Sequence, residues 1–211
     1  CKLKEKLSVE FPKNIILDLE IPAYNAFKTL ATNTKIYFCM FHFGQCVWRK
    51  IQKLGLVSHY VNDPDFRLFV KCVTSLAFVP TENIIPEFHK LKSKSCTFKD
   101  MDLSPFLFYF EKNFIKSSKY DLYSWNAYER IMNGINLTSN SAELFHRHFY
   151  SRFDQCHSGL VTFVEKLKEQ QSLTEIDINF VMCKPSSIRK SDYYSEKLNN
   201  LRNICQNYSK Y

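Results

Sequence analysis

Two acidic residues, Asp18 and Glu143, occupy positions from which a carboxylate can bind a divalent cation. Asp18 follows Ile15–Leu17, a short apolar run typical of a buried strand that delivers its next residue to the sheet edge. Glu143 lies near the start of a predicted helix from about Asn140, on the same face as His146. Each acid has a structural alternative. An aspartate at a strand end often caps a turn, and Asn140 with Glu143 nearly forms a capping box.

The elements that must position Asp18 alternate between strand and helix. After the first strand, Pro22 opens a helix with an apolar face. Residues 35–43 predict a second strand because they are rich in aromatic and β-favouring side chains. Residues 45–54 predict a second helix that stops at Gly55. This order predicts an open α/β sheet with its site at the strand ends.

The rest of the chain predicts helices. With 45% hydrophobic residues, four Gly and seven Pro, the chain is globular, and all-β folds are disfavoured. Asp63 and Pro64 are typical of an N-cap and the first residue of a helix. They predict a helix that starts there and ends at Pro80. The other predicted helices cover residues 81–92, a stretch starting at Ser104, residues 123–132, a stretch starting near Asn140, and residues 158–171.

The net charge and the spacing of the cysteines limit the classes of function that the chain could have. A net charge of +8 suits a polyanionic partner, although a solvated basic surface explains it equally well. The sequence has no run of 18 apolar residues, so we expect no membrane segment. Eight scattered cysteines without a CxxC pair indicate reduced thiols and no zinc finger.

Two blocks of sequence resemble the transposases of Mutator-like elements. The first block contains Asp18-Leu19-Glu20, Cys39-Met40-Phe41-His42-Phe43, Gln45-Cys46-Val47-Trp48-Arg49-Lys50 and Gly55-Leu56. The second contains Trp125-Asn126, Tyr128, Arg130, Gly134 and Thr138-Ser139-Asn140-Ser141-Ala142-Glu143-Leu144-Phe145-His146-Arg147. The blocks stand in the order expected for the family, and the resemblance covers about residues 15–170.

The resemblance implies an α/β, predominantly helical chain. We expect a partial ribonuclease-H-like fold with its first strands missing and an all-helical insertion. Residues 1–55 would supply the partial sheet with its helices, and 56–135 the insertion. Residues 136–182 would supply the final catalytic-domain helices. Residues 183–211 would be a polar tail, either loosely held or forming a last helix from about Ser191.

The resemblance also assigns roles to Asp18 and Glu143. It places them at the second and third acids that bind divalent metal, Mg²⁺ or Mn²⁺, for DNA cleavage and joining. Carboxylates suit this chemistry because two cations about 4 Å apart need hard oxygen ligands. The first acid belongs on an earlier strand, and only 17 residues precede Asp18. We therefore expect a fragment with little or no activity alone.

Three further side chains match the family as auxiliary residues, namely Cys39, His42 and His146. Cys39 and His42 fit its CxxH element, and a zinc site there is the weaker cofactor prediction. A strand continuing through both would point them to opposite faces, so they converge only if it ends near Met40. The alternatives are a buried small thiol and a structural imidazole. Leu144-Phe145 departs from the family's Gly-Trp, which puts activity in doubt more than fold.

The expected function is therefore metal-dependent DNA transposition in the nucleus by the intact parent, or an inactive relic of it. The partners would be transposon ends and target DNA, with a homo-oligomeric parent and no membrane. The alternative is a non-catalytic DNA- or protein-binding module in a host protein derived from such an element. An aspartate at an upstream strand end would favour the enzyme.

Overall fold

The computed structural model describes residues 11–117, 119–153, 159–184 and 192–208. It divides into two compact units. The described residues of 1–139 and 201–211 form the first unit, and those of 140–200 form the second. The chain is predominantly helical with one small parallel sheet, which confirms the expected α/β, mostly helical class.

The sheet of the first unit contains two described strands joined by a helix. β1 spans Asn14–Leu17, α1 spans Ile21–Leu30 and β2 spans Lys35–Phe38. The strands are parallel and pair in register from Asn14 with Lys35 to Leu17 with Phe38. α1 has Pro22 in its first turn, as predicted, and its buried residue is Tyr24, which lies outside the expected apolar face.

The second strand is shorter than predicted, and the helix after it begins earlier. β2 ends at Phe38, and α2 spans Met40–Lys53, so the predicted strand over 35–43 is wrong beyond Phe38. The reason lies in the periodicity of the buried residues. Phe43, Val47 and Ile51 are all buried and stand four residues apart, which is helical spacing that overrides the β preference of the aromatic run.

A set of further helices completes the first unit. They are α3 (Val57–Asn62), α4 (Pro64–Ser75), α5 (Ile84–Lys94), α6 (Ser104–Phe110), α7 (Leu122–Trp125) and α8 (Tyr128–Met132). Short 3₁₀ turns cover Leu76–Phe78, Thr81–Asn83 and Ser95–Thr97, and a π-helical turn covers Glu111–Ile115. Asp63 caps α4 as predicted, because its carboxylate accepts hydrogen bonds from the amides of Asp65 and Phe66.

One predicted helix, over residues 123–132, is divided into α7 and α8. The division occurs at Asn126, which is buried and extended (ψ 138°). Its amide group donates to the Val79 carbonyl at 2.8 Å and its oxygen accepts from the Tyr128 amide at 2.9 Å. The Ala127 amide donates to the Ala77 carbonyl at 2.6 Å. These long-range bonds compete with the helical ladder and end it.

Aromatic rings fill much of the core of the first unit. Phe43 of α2 stacks on Trp125 with centroids 5.2 Å apart and planes 7° apart. Trp125 is fully buried, and its indole N–H donates to the Phe114 carbonyl at 3.0 Å. Phe110 lies between this pair and Phe88. The aromatic density of the sequence therefore serves packing, as its ordinary interpretation predicted.

The second unit is built from helices. α9 spans Asn140–Tyr150, α10 spans Leu160–Cys183, and α11 runs from Asp192 across the unit boundary to Gln206. α10 extends twelve residues past the predicted end at Gln171. No Gly or Pro interrupts residues 172–183, so nothing in that stretch terminates the helix.

The carboxyl end of α11 packs on the first unit. Cys205 is buried, with its sulfur 3.6 Å from the Phe78 carbonyl oxygen, and the Arg202 Nε donates to the Ile131 carbonyl at 3.2 Å. Of the two forms predicted for residues 183–211, the last helix is therefore confirmed over Asp192–Gln206. Arg189 and Lys190, two basic residues of this stretch, lie outside the described residues.

Glu111 makes stability depend on pH in the acid range. Hydrogen bonds from Lys116 and Lys92, at 2.6 and 2.9 Å, hold the pKa of Glu111 at about 2. Because its pKa is lower in the folded than in the unfolded chain, the stabilisation is complete above the unfolded pKa and disappears as the pH falls through about 2. We expect Glu111→Gln to lower the free energy of unfolding by about 1 kcal/mol at neutral pH, since both lysines are solvent-screened.

Urea unfolding of the Glu111→Gln and wild-type chains checks this, at neutral pH and near pH 2. The difference should be much smaller at the lower pH. Glu169→Gln is the control, because Glu169 forms an exposed ion pair with Lys166, three residues earlier on the same helix. A Glu111→Gln effect of equal size at both pH values would contradict the assignment.

Candidate metal centre

The parallel register brings Asp18 and Cys39 to the same edge of the sheet. Leu17 pairs with Phe38, so the next residue of each strand leaves the sheet side by side. The Cys39 amide donates to the Leu17 carbonyl at 2.8 Å, which extends the pairing to that edge. Cys39 is then the N-cap residue of α2, and the first turn of that helix carries His42.

Asp18, Cys39 and His42 form a cluster that can hold a metal ion. One ligand atom from each residue lies within 4.8 Å of the other two. The His42 Nδ1 lies 3.0 Å from the Asp18 Oδ1. The burial is graded, since Cys39 is fully buried while the His42 and Asp18 side chains are 24% and 48% exposed. The cluster is therefore a shallow site with the thiol at its floor and the carboxylate at its rim.

Convergence of Cys39 and His42 follows from the early end of β2. On a continued strand the two would point to opposite faces, whereas the helix starting at Met40 turns His42 back towards Cys39. The strand does end close to Met40, which is the condition under which the two residues were expected to converge.

Ser139 is a further member of the site that the sequence analysis did not assign to it. Its hydroxyl donates to the Asp18 Oδ1 at 3.1 Å, and its amide donates to the Cys39 sulfur at 3.4 Å. The sequence placed Ser139 in the second block of the resemblance without a role. That position was the available signal, but the separation of 121 residues from Asp18 along the chain gave no indication of the contact.

Arg130 fixes the two backbone segments that carry these groups. It is fully buried, and it donates to the Phe38 carbonyl at 2.6 Å and to the Leu137 carbonyl at 2.8 Å. The Leu137 carbonyl also accepts from the Met40 amide at 2.9 Å. Arg130 therefore ties the end of β2 to the segment leading to Ser139, and its guanidinium lies over the Tyr37 ring, 5.3 Å from its centroid.

The thiol of Cys39 has a pKa below its ordinary value. Burial raises that pKa, but hydrogen bonds from Ser139 and His42 together more than offset the effect of burial. By contrast, the nearby Cys46 has a raised pKa because burial dominates there. The difference indicates that the surroundings of Cys39 stabilise its thiolate, the form that binds metals.

Glu143 and His146 lie in the second compact unit. α9 begins at Asn140, so Glu143 stands in its first turn, and both side chains are exposed. The His146 ring stacks near Tyr150 at 6.5 Å. On the apolar face of α9, the Phe149 ring packs against Phe145 and against Phe163 of α10.

Comparisons with models of known protein families, with curated proteins and with solved structures found no match for this chain. Among the described residues, no helix is long and apolar enough to cross a membrane. The metal-ligating cluster is therefore the feature of the first unit on which a functional argument can rest. It agrees in part with the cofactor prediction, since the geometry brings together three residues that could hold a metal ion and does not identify the ion.

Proposed function

We propose that this chain is part of the catalytic domain of a Mutator-like DNA transposase, acting in the nucleus on transposon ends and target DNA. The proposed fold is a partial ribonuclease-H-like sheet with an all-helical insertion. The activity is metal-dependent DNA cleavage and joining in the intact parent, which we propose to be a homo-oligomer. This chain alone would have little or no activity.

One observation carries the proposal. Asp18, which the resemblance gives as an acid of the site, follows the end of a strand in a parallel pair and lies beside Cys39 and His42, which match the family's CxxH element. The helices α3 to α8 lie between Asp18 and Glu143 in the chain, where the resemblance predicts an all-helical insertion. Open α/β sheets bind ligands at the carboxyl ends of their strands, which is the edge where Asp18 lies.

The residues present fit a divalent cation at Asp18. When bound, Mg²⁺ or Mn²⁺ supplies the charge neutralisation and activated oxygen that phosphodiester cleavage requires. Asp18 offers one exposed carboxylate, and the Ser139 hydroxyl orients it by donating to its Oδ1. Glu143 is assigned to the same centre by the resemblance, and because the two acids belong to separate compact units, its role needs its own test.

The second candidate function is a non-catalytic DNA-binding module of a protein derived from such an element. The net charge of +8 favours it, because a basic chain gains affinity for DNA by releasing counterions. Such a module would bind duplex DNA with a steep salt dependence and without need of a metal.

Calorimetric titration of this chain with Mn²⁺ tests the leading proposal. Asp18→Asn and Glu143→Gln should each weaken Mn²⁺ binding by about tenfold or more, since each removes an anionic oxygen ligand. Asp65→Asn and Glu165→Gln are matched controls, because both acids are exposed residues on other helices. Circular dichroism of each variant verifies that it is folded.

Equal Mn²⁺ affinity in all five chains would contradict the transposase proposal. Fluorescence anisotropy with a labelled DNA duplex then tests the alternative, the non-catalytic DNA-binding module. Binding that is unchanged by EDTA and by Asp18→Asn, and that weakens steeply with salt, would support the non-catalytic module.

A further inference from the structure

We propose that Asp18, Cys39 and His42 form a binding site for zinc or a similar transition metal. This inference goes beyond the proposed transposase function and does not depend on it. It rests on residues of one compact unit alone.

The donor set is the first argument. The cluster offers one thiolate sulfur, one imidazole nitrogen and one carboxylate oxygen. Mg²⁺ prefers oxygen ligands and an octahedral shell, whereas Zn²⁺ binds sulfur, nitrogen and oxygen together. A buried cysteine beside the carboxylate therefore disfavours magnesium at this exact set of atoms and favours zinc.

The geometry is the second argument. Tetrahedral zinc with bonds of about 2.0 Å to nitrogen and about 2.3 Å to sulfur holds its ligand atoms roughly 3.2 to 3.8 Å apart. The His42 Nδ1 and Asp18 Oδ1 are 3.0 Å apart, and the three donor atoms lie within 4.8 Å of one another. The His42–Asp18 separation is therefore about 0.2 Å short of the tetrahedral range, and no pair exceeds that range by more than about 1 Å.

The groups around the donors form the third argument. The Ser139 amide donates to the Cys39 sulfur, and the Ser139 hydroxyl donates to the Asp18 carboxylate. Ser139, which is not itself one of the three ligands, therefore orients both anionic ligands. Hydrogen bonds of this kind hold metal ligands in place in known sites. Arg130 in turn holds the backbone on both sides, at Phe38 and Leu137.

Three protein ligands leave the fourth position of a tetrahedral ion to water or another small ligand. The site opens towards solvent at Asp18, which is 48% exposed, while Cys39 is enclosed. An ion here would therefore keep its open position on the outer side. If the transposase proposal also holds, zinc at this site competes with Mg²⁺ or Mn²⁺ for Asp18.

Titration of the reduced chain with Co²⁺, a coloured substitute for zinc, tests the proposal. We expect a thiolate-to-cobalt charge-transfer band in the near ultraviolet that Zn²⁺ abolishes by displacement. Cys39→Ser should remove the band, and Asp18→Asn and His42→Gln should each weaken Co²⁺ binding by about tenfold or more. Cys46→Ser, a change at a half-buried thiol of the same helix, should leave the band unchanged.

Two results would contradict the zinc proposal. One is the absence of a charge-transfer band in the wild-type chain, and the other is a band that persists in Cys39→Ser. Since Cys39 is buried, circular dichroism verifies the fold of that variant. If that variant is unfolded, the Asp18→Asn variant provides the test, because Asp18 is exposed. A Co²⁺ affinity equal to that of the wild-type chain would then overturn the proposal. Glu143→Gln separates the two proposals. It should leave Co²⁺ binding unchanged, whereas the transposase proposal requires it to weaken Mn²⁺ binding.

Discussion

Replacing Arg130 with methionine is expected to lower the free energy of unfolding by about 3 to 5 kcal/mol, because it removes two hydrogen bonds from a buried charged group, each worth about 1.5 to 3 kcal/mol. Arg130 is fully buried and donates to the Phe38 and Leu137 carbonyls. Methionine has a similar volume and preserves packing, so the loss reports the hydrogen bonds. Arg130→Lys should recover only part of the stability, since an ammonium lacks the planar fork that reaches both carbonyls.

Urea unfolding followed by circular dichroism measures this effect. Arg67→Met is the matched control, because Arg67 also donates to a backbone carbonyl, that of Val61 at 3.0 Å, but at the surface. We expect that change to cost under about 1 kcal/mol. Similar losses in the Arg130 and Arg67 variants would show that Arg130 does not tie the two segments together.

Phe43→Ala is expected to have an effect of similar size, about 3 to 5 kcal/mol, from lost burial and the cavity it leaves. Phe43 stacks on Trp125 and contacts the rings of Phe110 and Phe114. It also follows His42 directly in α2, so its ring anchors the helix turn that carries the imidazole.

Phe41→Ala provides the control for this core substitution. Phe41 lies two residues away on the same helix, and it is 53% exposed. We expect its replacement to change the free energy of unfolding by less than about 1 kcal/mol. Thermal unfolding of both variants compares the two, and an equal decrease in midpoint would contradict the assigned packing of α2.

The positions of the two strands were predicted more accurately from the sequence than the residue at which the second strand ends. The run before Asp18 and the helix from Pro22 were predictable because apolar periodicity and proline act locally. The end of β2 was not, since residues 39–43 combine β-favouring side chains with a helical spacing that only burial reveals. That boundary decides the site, because it determines whether Cys39 and His42 face each other.

Long-range hydrogen bonds explain the other differences. Asn126 splits the helix predicted over 123–132 by bonding to Val79, which stands 47 residues earlier. Ser139 joins the site through Asp18 and Cys39, more than 90 residues away. The residues next to Asn126 and Ser139 in the sequence do not indicate these distant partners. Composition and periodicity therefore could not predict either contact.

The central claim, a metal site at the carboxyl end of the parallel strands, is tested most directly by anomalous diffraction. Crystals of this chain grown with Zn²⁺ would be measured on both sides of the zinc absorption edge. We predict a peak within about 2.0 to 2.3 Å of a carboxylate oxygen of Asp18, the sulfur of Cys39 and a ring nitrogen of His42. A map whose zinc peaks all lie at other side chains, with these three atoms unligated, would contradict it.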